Sequence, residues 1–299
     1  MNSAPKPEKV IVLGAKSLVG EELLAAVQKS RREAIALTRK ALPADSEGVR
    51  WHDTAQLGEL AGAGIPLALC VAHIWVIEEH IPAMKAAGVN RLVALSTTSR
   101  FTKQTSSSES EQADWKLFEQ SEARVHAACT AAGIGCTILR PTLIWGNGQD
   151  KNVTEIARMI GRLGFFPLFG AAKGLRQPIH ARDVAAACLQ AGASDAAAGK
   201  DYNISGGEVL PYRVMVEQIF AALGRKPRTP SVPLPLFALA VKAMRLIPRF
   251  RKWTPDMAVR MNQDQDFDHS AAAADFGFAP GPFAPTRADL QLEREGAQT

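Results

Sequence analysis

Gly14, Ser17 and Gly20 stand three residues apart in VIVLGAKSLVGEELL, directly after a run of β-branched residues. Small residues at that spacing let a chain turn sharply from strand into helix. They also bring backbone close to a pyrophosphate and aim the N–H groups of a helix N-terminus at its oxygens. The cradle reads as Gly14, Ala15, Ser17, Leu18, Val19 and Gly20. Serine at the middle place carries a side chain that either points away or binds phosphate itself. The next apolar run, AIALTRK, ends in Thr38, Arg39 and Lys40, with no carboxylate nearby. An acid there would hold a ribose 2′-hydroxyl, whereas an arginine accommodates a 2′-phosphate. The pattern therefore favours NADP, with NAD as the alternative, against the plainer reading of a solvated Arg-Lys pair. Asp53, after a third run, reads either as a partner of the adenine amino group or as a surface aspartate.

The elements that must position these residues alternate. Strand-like runs lie at 10–13, 34–37, 49–51, 67–72, 91–95 and 135–139, with helical spacing from 19, at 78–87 and at 114–132. Strands separated by helices of this length pair in parallel through right-handed crossovers, so the expected fold is α/β, a doubly wound Rossmann-type sheet. Beyond Pro141 glycine, proline and aromatic residues become frequent, and further elements are expected at 184–191, 201–204 and 212–223. The expected division is a dinucleotide-binding domain over 1–150, to which 175–207 returns, and a smaller substrate-side lobe from 151–174 and 208–299. The serine patch 105–110 reads as a mobile loop, and the tail from 227 as proline-rich and irregular.

Composition narrows the function classes. With 46% hydrophobic and 22% charged residues the chain is globular, and its net charge of +5 is scattered except for a cluster at 245–252. That balance suits anionic small molecules and argues against nucleic acid. Cys70, Cys129, Cys136 and Cys188 show neither CxxC nor Cys/His ligand spacing, so buried thiols and no metal are expected. No apolar signal-like stretch precedes the first strand, which reads as a cytoplasmic protein. The apolar run 232–247 is broken by prolines, Lys242 and Arg245 and is shorter than the ~20 residues of a spanning helix. It reads as an amphipathic helix packed on the domain, or as one at a membrane surface with Arg249, Arg251 and Lys252 near headgroups.

GAKSLVG at 14–20, LSTTS at 95–99, TILRPTLIWGNG at 137–148 and LRQPIHARDVAAA at 175–187 together resemble the extended, atypical branch of the short-chain dehydrogenase/reductase superfamily. Within it the chain looks most like the NAD-dependent epimerase/dehydratase group that acts on nucleotide sugars. The resemblance implies Ser96 and Pro141 beside the nicotinamide, Ala72 along the cofactor, and Thr98 as the catalytic hydroxyl on the substrate oxygen. It implies Arg176 as the clamp on a substrate diphosphate, and structural roles for His180 and Asp183; on the enzyme reading Arg260 is a further candidate for the substrate's anionic end.

One departure is plain. The group's Tyr-x-x-x-Lys pair, whose lysine tunes the phenol for proton exchange, is absent. Tyr202 and Tyr212 are the only tyrosines, and the corresponding helix reads ADWKLFEQSE, where Trp115 and Glu119 keep the spacing. An indole is no acid or base. Glu119, Lys116, Lys103 and His73 remain as titratable substitutes, and proton exchange with water is a further route. One reading is thus an NAD(P)-dependent epimerase, dehydratase or reductase on a nucleotide sugar. The other is a non-catalytic NADP(H)-binding sensor or scaffold that docks a partner or membrane through 232–252. A homodimer fits either. His52, His80, His126 and His269 receive no role.

Overall fold

A computed structural model describes residues 8–104, 108–233 and 259–290. The chain runs β1 (Lys9–Leu13), α1 (Leu18–Lys29), β2 (Glu33–Thr38), β3 (Val49–Asp53), β4 (Leu67–Cys70), α2 (Ile81–Ala86), β5 (Arg91–Leu95), α3 (Ser99–Thr102), α4 (Glu109–Ala132) and β6 (Gly135–Pro141). It continues with β7 (Ile144–Trp145), α5 (Val153–Leu163), β8 (Leu168–Phe169), β9 (Leu175–Arg176), β10 (Ile179–His180), α6 (Ala181–Ala193) and β11 (Asp201–Ile204). The remaining described elements are β12 (Leu210–Pro211), α7 (Tyr212–Ala222), β13 (Ser231–Val232), α8 (Ser270–Phe276) and α9 (Arg287–Leu290).

Among the described residues seven strands form one parallel sheet, ordered β11-β6-β5-β4-β1-β2-β3. This is the expected doubly wound α/β fold. Strands covered on both faces read as continuous apolar runs, and the interior of KVIVL, LALC and RLVAL is buried accordingly. Helix α1 follows from Val19, Leu23 and Val27, one per turn on a buried face.

Contacts divide the chain into two units. The first comprises 1–141, 181–204 and 268–279, the second 142–180, 205–267 and 280–299. In the first, Ile11, Leu37, Ile74, Met84, Leu92 and Val125 belong to one buried cluster. In the second, Trp145, Phe166, Met215, Phe220 and Phe283 pack together beside three two-stranded ladders.

Three local expectations are revised. The helix expected over 78–87 begins as a 3-10 turn at Glu78–His80, preceded by another at Ile74–Val76, and regular helix starts only at Ile81, where Pro82 in the first turn lacks the N–H an interior position needs. Helix α4 begins five residues earlier than its apolar period, because Glu109 and Glu111 favour a helix N-terminus electrostatically. The tail is not irregular throughout, since α8 and α9 lie within it. Residues 105–107 and most of the 232–252 segment lie outside the described residues. Among the described residues no helix is long and apolar enough to cross a membrane.

Candidate functional site

The glycine turn is closed by its own backbone. Gly14 has φ +87°, and a Cβ there would stand 2.6 Å from the Ala72 nitrogen. The Ser17 N–H donates to the Gly14 carbonyl at 2.9 Å. Gly20 is held as tightly, for its Cβ would fall 2.3 Å from the Gly14 oxygen. Ser17 caps α1, its hydroxyl accepting the Gly20 N–H at 3.0 Å. The serine that replaces a middle glycine thus serves the helix N-terminus. Ala15 and Val19 are buried beneath the turn and Leu18 is half-buried.

At the end of β2, buried Thr38 accepts the Lys40 N–H at 3.1 Å, and Arg39 and Lys40 are exposed. A third cation joins them. Lys16, from the glycine turn, donates to the Ala41 carbonyl at 2.5 Å and lies 5.7 Å from the centre of the Trp51 ring. Sequence reading did not single out Lys16, because its reach to Ala41 spans the gap between two loops. Asp53 holds local structure: its carboxylate accepts the Ala55 N–H at 2.9 Å, and Gln56 returns a bond to the Asp53 N–H at 3.3 Å. This capping box was legible as DTAQ.

At the ends of β5 and β6 the side chains turn inward. Thr98 directs its backbone N–H and its hydroxyl to the Pro141 carbonyl, at 3.0 and 3.1 Å. The Ser96 hydroxyl donates to Glu122 at 2.5 Å. Glu122, 2% exposed on α4, also accepts from Arg100 and from Arg140, whose Nη2 lies at 2.6 Å. Arg140 Nη2 bonds Asp201 at 2.6 Å, and Asp201 meets the His126 ring nitrogen at 2.7 Å. The bond to Asp201 raises the His126 pKa against the opposing effect of burial. Burial pushes Asp201 up, but the His126 bond and the Arg140 charge outweigh it, so its pKa is lowered.

Sequence reading missed this network. A faint signal was present: Glu122 falls on the same stripe of α4 as Phe118, Val125 and Cys129, where a lone charge demands a partner.

Of the substitutes for the absent tyrosine, Glu119 is exposed and pairs with Arg100 at 3.3 Å. His73 is exposed and stacks on Trp75 with centroids 4.4 Å apart. Lys103 binds Asp114 at 2.6 Å. Trp115 is half-buried and Lys116 exposed.

In the second unit Arg176 differs from the open fork a diphosphate needs. It is 4% exposed and donates to the carbonyls of Leu175, Gln263 and Arg260 at 2.6, 2.8 and 2.5 Å. Its guanidinium also lies 5.3 Å over the Tyr212 ring. His180 is buried, 4.7 Å edge-on to Trp145.

A cradle that any Cβ would fill, a capped helix N-terminus and three cations fit a dinucleotide bound at the carboxyl edge of β1 and β2. Fold and turn are those of a Rossmann-type α/β protein. The model of the NAD dependent epimerase/dehydratase family matches residues 78–205. Over those residues the chain is similar to that family.

A 2-alkyl-3-oxoalkanoate reductase from Stenotrophomonas maltophilia is 28% identical over 91% of this chain and 94% of its own length. A mitochondrial NADH dehydrogenase 1 alpha subcomplex subunit 9 from Arabidopsis thaliana is 31% identical over 33% of this chain and 25% of its own length. Among solved structures, MoeE5 with UDP-glucose and NAD superposes with a TM-score of 0.69, covering 97% of this chain and 100% of that one at 17% identity. The UDP-glucuronic acid 4-epimerase of Bacillus cereus with NAD also gives 0.69, covering 96% and 97% at 16% identity. These two likenesses concern the fold.

Proposed function

We propose that the chain is an NADP(H)-dependent oxidoreductase that reduces a carbonyl, or oxidises the corresponding alcohol. The observation that carries the cofactor choice is the set of Lys16, Arg39 and Lys40 around the end of β2, where the neighbouring Asp53 carboxylate is taken up by its own capping box. Backbone N–H groups from Gly14 to Gly20 take the pyrophosphate, and Ala72, Ser96, Thr98 and Pro141 border the nicotinamide end. Asp53 lies toward the adenine end, at the terminus of β3 beside β2.

For the substrate, a 3-oxoalkanoate-type carbonyl is favoured, because the relative aligned along nearly its whole length is a reductase of that class. Arg176, turned onto the chain's own carbonyls, favours it too. The second reading is a nucleotide sugar, supported by the family match and by the UDP-sugars named for MoeE5.

Calorimetric titration with NADPH and NADH tests the cofactor. NADPH is expected to bind more tightly. Arg39→Ala or Lys16→Ala should each weaken NADPH by about tenfold or more, as for a lost charge-assisted hydrogen bond, and leave NADH nearly unchanged. Equal affinity for both cofactors would overturn the NADP assignment. Absorbance at the reduced nicotinamide band, followed with a 2-alkyl-3-oxoalkanoate and with UDP-glucose, separates the substrates. Tight NADPH binding with no turnover of either returns the chain to the sensor reading.

A further inference from the structure

We infer that Lys103, held by Asp114, is the proton donor that stands where the family's tyrosine is missing. This rests on the NADP(H) oxidoreductase reading.

A carbonyl oxygen that gains charge needs an N–H or O–H directed at it. Two of the four hydroxyls that follow β5 are engaged otherwise: Ser96 donates to Glu122 and Thr98 to the Pro141 carbonyl, while Thr97 accepts the Ser99 N–H. Arg100 is tied to Glu119 and Glu122. Lys103 differs. An ammonium has three donors, and the bond to Asp114 at 2.6 Å uses one.

Its placement follows from the two helices. Thr98 caps the four-residue α3, and the Lys103 N–H closes that turn on the Ser99 carbonyl at 3.0 Å. Lys103 therefore stands about one turn beyond the catalytic-position threonine. From α4, Glu122 meets Ser96 at the strand end, and the same helix face continues N-terminally through Phe118 to Asp114, at i−4 and i−8. That direction leads outward over the carboxyl edge of the sheet, where ligands of open α/β folds bind. Asp114 thus occupies the overhanging end of the face and fixes Lys103 there, with the Lys103 side chain 22% exposed.

When bound, the dinucleotide supplies a hydride to the carbonyl carbon. As the C–O π pair moves onto oxygen, one N–H bond of Lys103 breaks and its proton forms the new O–H bond. The electron pair stays on Nζ, Asp114 remains a carboxylate, and water reprotonates the amine.

Competitive acetylation with acetic anhydride, read by peptide mass spectrometry with and without NADP+, tests placement apart from activity. With NADP+ at ten times its Kd, a shielded lysine should react about tenfold more slowly. Slowing at Lys16, Lys40 and Lys103, with exposed Lys85 unchanged, supports the inference. Slowing at Lys16 and Lys40 alone overturns it and spares the cofactor reading. No slowing at any of the three overturns both.

Turnover of a 2-alkyl-3-oxoalkanoate gives the second arm. Lys103→Met should lower kcat by about 10²- to 10⁴-fold with NADPH affinity unchanged. Lys103→Arg keeps the charge but holds its proton too firmly to release it, so it should stay impaired. Full activity in Lys103→Met, or a comparable loss in His73→Asn with Lys103→Met active, refutes the assignment.

Discussion

Replacing Glu122 by glutamine removes one charge from the most enclosed ion network described in the first unit. In the native chain that carboxylate, 3% exposed at its side chain, receives Arg140 through Nε at 3.1 and 3.2 Å and through Nη2 at 2.6 Å. It also receives Arg100 and the Ser96 hydroxyl. An amide matches the shape but offers one acceptor oxygen, and it turns an N–H₂ toward a cationic guanidinium. Arg140, 11% exposed, then keeps only Asp201 among these acids. Breaking a buried pair from one side costs about 3–5 kcal/mol. A domain of this size loses about 2–4 °C of Tm per kcal/mol, so a fall of roughly 10 °C is expected. Thermal melting followed by far-ultraviolet circular dichroism, with urea unfolding as a check, measures it. A companion variant sharpens the test: Glu122→Leu with Arg140→Met replaces the pair by apolar groups and should recover most of the loss. A Tm within 2 °C of native for Glu122→Gln, or a double variant worse than the single, would show that the network is not what holds β5, β6 and α4 together.

Two further outcomes follow from the same geometry. Gly20→Ala places a Cβ 2.3 Å from the Gly14 oxygen, so α1 must shift from the turn at about 1–3 kcal/mol, and NADPH affinity should fall with it; unchanged binding by titration contradicts the tight-turn account. Stability should also carry a signature of the His126–Asp201 pair. The raised His126 pKa contributes stability fully below its ordinary 6.5, lost as pH rises through the folded value, while the lowered Asp201 pKa contributes above its ordinary 3.8, lost as pH falls through its folded value. The pair's contribution is therefore greatest between about pH 4 and 6.5, and His126→Asn should flatten the decline above pH 6.5 in urea titrations; a native-like profile in that variant removes His126 as its source.

Much of the fold was legible because its signals are local. A strand followed by Gly14, Ser17 and Gly20 and then an apolar helical stripe is a pattern within twenty residues, and its geometry appears as read. The position of Arg39 and Lys40 directly after β2 was legible the same way. The division of helix 78–87 was not, since its apolar spacing suits both a continuous helix and successive short turns. Nor was the return of α8 to the first unit, where Asp275 accepts the Tyr202 hydroxyl at 2.6 Å across 73 positions of sequence.

By itself the sequence determined the alternating α/β order, the tight glycine turn and the absence of the tyrosine, since each depends on which residues stand next to one another. Tertiary structure alone decided where the charges go. The sheet order sets β6 between β5 and β11, and that neighbourhood brings Arg140 to Asp201 from 61 residues away. The packing of α4 beside β5 and β6 delivers Glu122 to Ser96 and Arg140. Other tertiary contacts turn Arg176 inward, carry Lys16 to Ala41 and set Lys103 on Asp114. Long side chains choose partners by distance in space, and that distance is set by strand order and helix packing that no short window of sequence encodes.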